Sequence, residues 1–218
     1  MLETDWKTSS AKTLLLTALS CLLIGRAWQH LLWDAPFRTL LWNQEWLAPI
    51  IETMTNISWH EYVTSSLTDQ IIQYLIKLNG VFYLIGLFVC WKINSKSKWI
   101  KSYLILASIS LCFLALLKTI EKFFFFGMFL EHMIQFSTPL IVYFFLFKTR
   151  LFVKYKMILK VIMACTFIGH GLFAIGYYPV PGHFIDMIVN VFGTNEGFAR
   201  QLLKVAGALD ILASILLF

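Results

Sequence analysis

The chain has 218 residues, 59% of them hydrophobic and only 14% charged, with 20 Phe. Soluble domains carry about a quarter charged residues, so an ordinary cytosolic globule is excluded. Intrinsic disorder and a collagen-like chain fall with it, and 4 Cys make no disulfide scaffold.

A bilayer core about 30 Å thick needs roughly 20 apolar residues per helix. In chain order the apolar runs cover about 13–33, 71–91, 99–118, 123–147, 157–178 and 201–218. They predict an all-α polytopic membrane protein with six transmembrane helices, one transmembrane domain over 1–218. The first run continues past Cys21 without a small-residue cleavage site, and Ala18-Leu19-Ser20-Cys21 misses the lipobox pattern. It reads as a retained helix, not a signal peptide. The external segment 34–70 has Asp34 as a cap, Pro36 in a first turn, and Phe37, Leu40, Leu41 and Trp46 at helical spacing. Short helices lying flat in the outer interface are expected there. The second external segment, 179–200, carries Phe184, Ile185, Ile188 and Phe192 and is broken by Gly193-Thr194-Asn195-Glu196-Gly197. The sixth run reaches Phe218 with no basic flank behind it, which reads as a pattern that continues.

Cation placement sets the orientation. The connection after helix 2 holds Lys92, Lys96, Lys98 and Lys101; the one after helix 4 holds Lys148, Arg150, Lys154, Lys156 and Lys160. The opposite side has Arg38, Lys118, Lys122 and Arg200. The positive-inside rule puts both termini and the two basic loops in the cytoplasm, and the short loops suit a bacterial inner membrane. The net charge of +6 is therefore a topology signal, and no nucleic-acid partner is expected. Trp6, Trp91 and Trp99 fall at the inner interface and Trp28, Trp33, Trp42, Trp46 and Trp59 at or beyond the outer one, as two aromatic belts. Cys21, Cys90, Cys112 and Cys165 lie on different helices without paired spacing and read as apolar fillers.

Two stretches resemble each other. Leu23-Ile24-Gly25-Arg26-Ala27 matches Phe167-Ile168-Gly169-His170-Gly171, and each is followed by a Pro-containing external amphipathic segment. Ile76-Lys77-Leu78-Asn79-Gly80 then matches Leu203-Lys204-Val205-Ala206-Gly207. Both units run inside, outside, inside, predicting two parallel helix-hairpin repeats that flank a central hairpin of helices 3 and 4. The Gly-basic turn near an outer helix end, the amphipathic stretch, and the helix with Lys and Gly near its start together resemble the DoxX-like integral membrane proteins. The likeness is best over 157–218 and partial over 13–92. It implies a membrane subunit of a quinone-linked oxidoreductase, or an assembly factor, with a partner subunit in a membrane complex.

At 1.5 Å per residue, Arg26 lies about 10 Å inside the outer end of helix 1, and Glu131, His132, His170 and Asp210 lie about 12–13 Å deep on helices 4, 5 and 6. Four helices thus bring ionisable groups to one layer. Gln29 and His30 sit nearer the surface, Gln135 shares a face with Glu131 and His132, and His183 and Asp186 open the second external segment. Charges at such depth face the bundle interior and pair, with Arg26 matched to Glu131 or Asp210. The layer is expected to line an outward-opening polar pocket. Arg26 would orient an anionic or carbonyl group, and His132, His170 and Glu131 would donate or shuttle protons. A lipophilic carbonyl compound such as a quinone, walled by Phe123–Phe126, is the leading ligand class. A metal held by His30, His132, His170, His183 and Glu131, and haem between His132 and His170, are alternatives, although no HExxH spacing occurs. The non-enzymatic alternative is a small-molecule transporter, or an assembly protein whose polar layer only glues helices together.

Overall fold

A computed structural model of the chain describes residues 2–91, 98–148 and 156–218; Lys92, Lys96, Arg150 and Lys154 of the basic connections lie outside these. The described residues are helical and contain no strand. Five helices are long and apolar enough to cross a membrane, which makes this an integral membrane protein. They are Ser10–Leu32 within α1 (Leu2–Leu32), Ser66–Cys90 within α5 (Ser66–Trp91), α6 (Lys98–Glu121), Phe126–Phe147, and α9 (Lys156–Ala174). All five match predicted runs to within a few residues. The sixth run falls in α11 (Glu196–Leu216), which carries Glu196, Arg200, Lys204 and Asp210 and is not among the five. Outward faces such as Leu14, Leu78, Phe88, Leu106 and Ile109 are apolar and exposed, as lipid-facing helices require.

The connection between α1 and α5 folds into α2 (Arg38–Leu41), α3 (Gln44–Thr55) and α4 (Trp59–Thr64). Local chemistry sets the ends: Asn43 accepts the Trp46 N–H at 3.0 Å and Ser58 the Glu61 N–H at 3.2 Å, while Asn56 closes α3 at φ 56°. Asp34 does not cap a helix as expected. Its carboxylate takes the Ala35 N–H at 2.8 Å and the Arg38 guanidinium at 2.6 Å, and Arg38 reaches on to Asp69 at 2.7 Å. Burial opposes the charge on Arg38, but Asp69 and Asp34 outweigh it and hold its pKa above the ordinary value. This clamp ties α2 to the first turn of α5. The second external helix, α10 (Gly182–Phe192), buries Phe184, Ile185 and Ile188 as predicted and ends at Gly193, φ 60°. Phe192, the last residue of the helix, is exposed.

The central hairpin differs most from expectation. Its turn contains Phe123 and Phe124, both left-handed at φ 53° and 59°, so the fourth helix begins at Phe126 and not at 123. Bulky residues rarely adopt this conformation. Here the Phe124 N–H closes on the Thr119 carbonyl at 2.8 Å and satisfies the end of α6. The fourth helix is then interrupted at His132, giving α7 (Phe126–Glu131) and α8 (Met133–Phe147). The Ile134 N–H, diverted from its own helix, donates to Thr166 Oγ1 of α9 at 3.0 Å. A Cβ at Gly169 would strike the backbone of Gly127, Leu130 and Glu131, so only glycine lets α9 approach this break.

Two clusters of packed side chains result. Leu19, Leu23, Ile76, Tyr83, Leu104 and Val142 join α1, α5, α6 and α8. Met128, Phe173, Phe184, Ile188, Ala199 and Leu203 join α7, α9, α10 and α11. α11 runs antiparallel to α9, for Phe218 lies beneath the ammonium of Lys160 (5.9 Å) while Asp210 meets His170. The two cross where Gly171 and Gly207 place backbone against backbone.

Candidate functional site

A cavity of about 520 Å³ lies where the two clusters meet, within the size range of small-molecule sites. α1 contributes Leu22, Arg26 and Gln29 at helical spacing, with Cys21 and Gly25 beside them. The broken helix contributes Met128, Glu131, His132 and Gln135, and the segment entering α10 contributes Pro181, His183 and Phe184. Lys118, Glu121 and Lys122 close it from α6.

Arg26 is the buried centre of this wall. Its guanidinium donates to Gln29 Oε1 at 2.7 Å and to Gln135 Oε1 across the cavity, and Gln29 is itself aimed by a bond to the Asp34 carbonyl at 3.3 Å. The expected ion pair with Glu131 or Asp210 does not form: Asp210 takes His170 instead, at 2.7 Å. Glu131 lines the cavity with one oxygen, Oε2, sealed from the surface and without a hydrogen-bond partner. His132 donates from Nδ1 to the Met128 carbonyl at 2.9 Å, taking up an acceptor of the same short helix that breaks beside it. At the rim, burial and the Lys122 and Lys118 ammonium groups push the pKa of His183 below its ordinary value, against Asp186.

Of the residues singled out, Arg26, Gln29, Glu131, His132, Gln135 and His183 line this one cavity. His30, His170, Asp210 and Asp186 do not. His30 is one turn from Arg26 yet points at α5: its Nδ1–H donates to the Arg26 carbonyl at 2.7 Å and its Nε2 accepts from Asn79 at 3.2 Å. Asn79, Tyr83 and Ser110 complete that buried network. His170 packs against Phe184 of the cavity wall (ring centroids 5.0 Å), and Asp186 is exposed on α10. The expected Phe123–Phe126 wall is absent. Phe123, Phe124 and Phe126 are exposed at the hairpin tip, Phe125 stacks on Tyr178 at 4.9 Å, and the aromatic surface of the cavity is Phe184. Among the described residues no group of three or more His, Cys, Asp or Glu gathers as metal ligands would.

Lys118, Glu121 and Lys122 were legible only as loop charges. Extending the third helix from 118 to Glu121 would have revealed them, since one more turn carries Lys118 inside and brings Lys122 above it. The chain matches no protein-family model, no curated protein and no solved structure.

Proposed function

We propose that this protein is a membrane-embedded binding subunit whose cavity, open to the outer side of a bacterial inner membrane, holds the carbonyl or anionic head of a lipophilic small molecule. In a redox-linked complex that molecule is a quinone, as the likeness to DoxX-like proteins implies. The observation that carries the reading is Arg26: a buried guanidinium aimed into a half-polar cavity and, among the described residues, bonded only to the neutral amides of Gln29 and Gln135. Arg26 orients the head, and Glu131 and His132 are the groups placed to exchange protons with it.

The reading includes six spans with both termini cytoplasmic. Its support is that α11 lies along α9 from the level of Lys160 to that of Gly171, as a membrane-crossing partner would. The repeat is supported by matched packing. Gly80 of α5 rests on His30 and Leu31 of α1, and Gly207 of α11 rests on Ala174 and Ile175 of α9. With Gly25 set on Gly169, His30 falls on Ala174 and Leu31 on Ile175.

A second reading, small-molecule transport, is favoured by the break at His132. Interrupted membrane helices whose freed backbone groups are met by a neighbour, as Thr166 meets Ile134, mark substrate sites that move. Native mass spectrometry of the protein released from nanodiscs tests the binding reading. A retained quinone-sized or lipid-like ligand that is lost in Arg26→Gln supports it. Bare polypeptide in both proteins shifts the assignment to transport or assembly.

A further inference from the structure

We propose that the ligand of this cavity is an amphiphile with an anionic head, carboxylate or phosphate, held by Arg26, Lys118 and Lys122 with its chain descending along α1. The proposal rests on the binding reading above and takes its anionic branch in place of the quinone.

Charge carries the first half. Arg26 on α1, Lys118 on α6 and Lys122 just past its end converge on one cavity, and among the described residues none of them forms an ion pair. The two carboxylates on the same cavity, Glu121 and Glu131, make no ion pair with them either. Of the other carboxylates near this end, Asp34 and Asp69 are committed to Arg38, Asp210 to His170 and Glu196 to Arg200, while Asp186 is exposed on α10. Cations in a membrane-embedded site normally find partners, because unpaired charge there is costly. Three cations face two carboxylates on this wall, and a ligand anion supplies the missing charge, whereas a neutral carbonyl offers only a dipole. Arg26 is also prepared for it. Two of its nitrogens are locked by Gln29 and Gln135, which fixes the plane of the guanidinium before anything binds.

Polarity along α1 carries the second half. From Gln29 to Cys21 the cavity face descends about 12 Å, changing from Gln29 and Arg26 to Leu22 and Cys21. Met128 and Phe184 add apolar surface from the other elements. At Cys21 it adjoins a second cavity of about 330 Å³, lined by Thr13, Leu16, Thr17, Ser20, Leu87 and Cys90, nearer the start of α1. A small soluble anion would use only the upper part; a head with an apolar chain matches the whole gradient.

The test is binding to the full chain in nanodiscs, with oleate, 1-oleoyl-lysophosphatidate, monoolein, decylubiquinone, acetate and inorganic phosphate as probes. Oleate or lysophosphatidate is expected to bind at least about tenfold more tightly than monoolein and decylubiquinone, and far more tightly than acetate or phosphate. Which of the two binds better tells a free fatty acid from a phosphate head. Lys118→Gln with Lys122→Gln should remove most of that preference while leaving monoolein little changed. The preference of the unmodified protein stands as a readout even where the double variant folds poorly. Decylubiquinone or monoolein binding as tightly as oleate, with both weakened by Arg26→Gln, overturns the anionic class and keeps the pocket. Acetate or phosphate matching oleate overturns the amphiphile. No binding of any probe overturns this proposal and the binding reading together.

Discussion

Thr166 Oγ1 on α9 accepts the backbone N–H of Ile134 at 3.0 Å, two residues past the interruption of the fourth helix at His132. The same hydroxyl donates to the Ile162 carbonyl at 3.0 Å, so one side chain bridges two helices. Without it the Ile134 N–H has no acceptor in an environment with little water. Thr166→Val is therefore expected to destabilise the protein by about 1–3 kcal/mol, and Thr166→Ser to cost much less. Thermal unfolding in detergent checks this; equal melting temperatures for all three proteins would show that the break needs no external acceptor.

The proposed repeat pairs Gly25 with Gly169, yet their surroundings are opposite. A Cβ at Gly25 meets nothing within 4 Å, while one at Gly169 strikes the backbone of α7. Gly25→Ala should raise stability by about 0.5–1 kcal/mol through helix propensity, and Gly169→Ala should lower it by about 1–3 kcal/mol through overpacking. Parallel shifts of the two unfolding midpoints would mean that α9 does not approach the break as closely as described.

His170 and Asp210 join α9 to α11 at 2.7 Å. Residues in direct contact couple by about 0.5–3 kcal/mol in a double-mutant cycle, and His170→Ala with Asp210→Ala should fall in that range. Additive effects would separate the two helices at this level and remove a support for the sixth span.

His183 carries a pH dependence whose sign follows from its surroundings. Burial and the two lysines hold its pKa below the ordinary histidine value, so the unfolded chain takes up the proton first as pH falls. Stability should be full above about pH 6.5 and decline as pH drops from there through the lowered folded value. Melting temperatures of the native protein and His183→Gln, measured between about pH 7.5 and pH 5, should diverge on the acid side. Parallel curves would show that His183 does not sense Lys118 and Lys122.

Five of the predicted spans, the amphipathic face of α10 and its stop at Gly193 were legible in the chain, because apolar runs, helical periodicity and a breaker glycine are local signals. Rotation about the helix axis was not, because it depends on which neighbour packs where. Arg26 and His30 are one turn apart, but Arg26 faces the cavity while His30 faces Asn79 of the docked α5. His170 turns to Asp210 and packs against Phe184. The interruption at His132 has no proline or glycine at that position to announce it; it depends on Thr166 standing opposite Ile134 and on Gly169 letting α9 come close. Composition and periodicity by themselves determined that this protein crosses a membrane on apolar helices. Tertiary packing alone decided that Lys118 and Lys122 join Arg26 around one cavity, because only the docked helices set which polar side chains share a space.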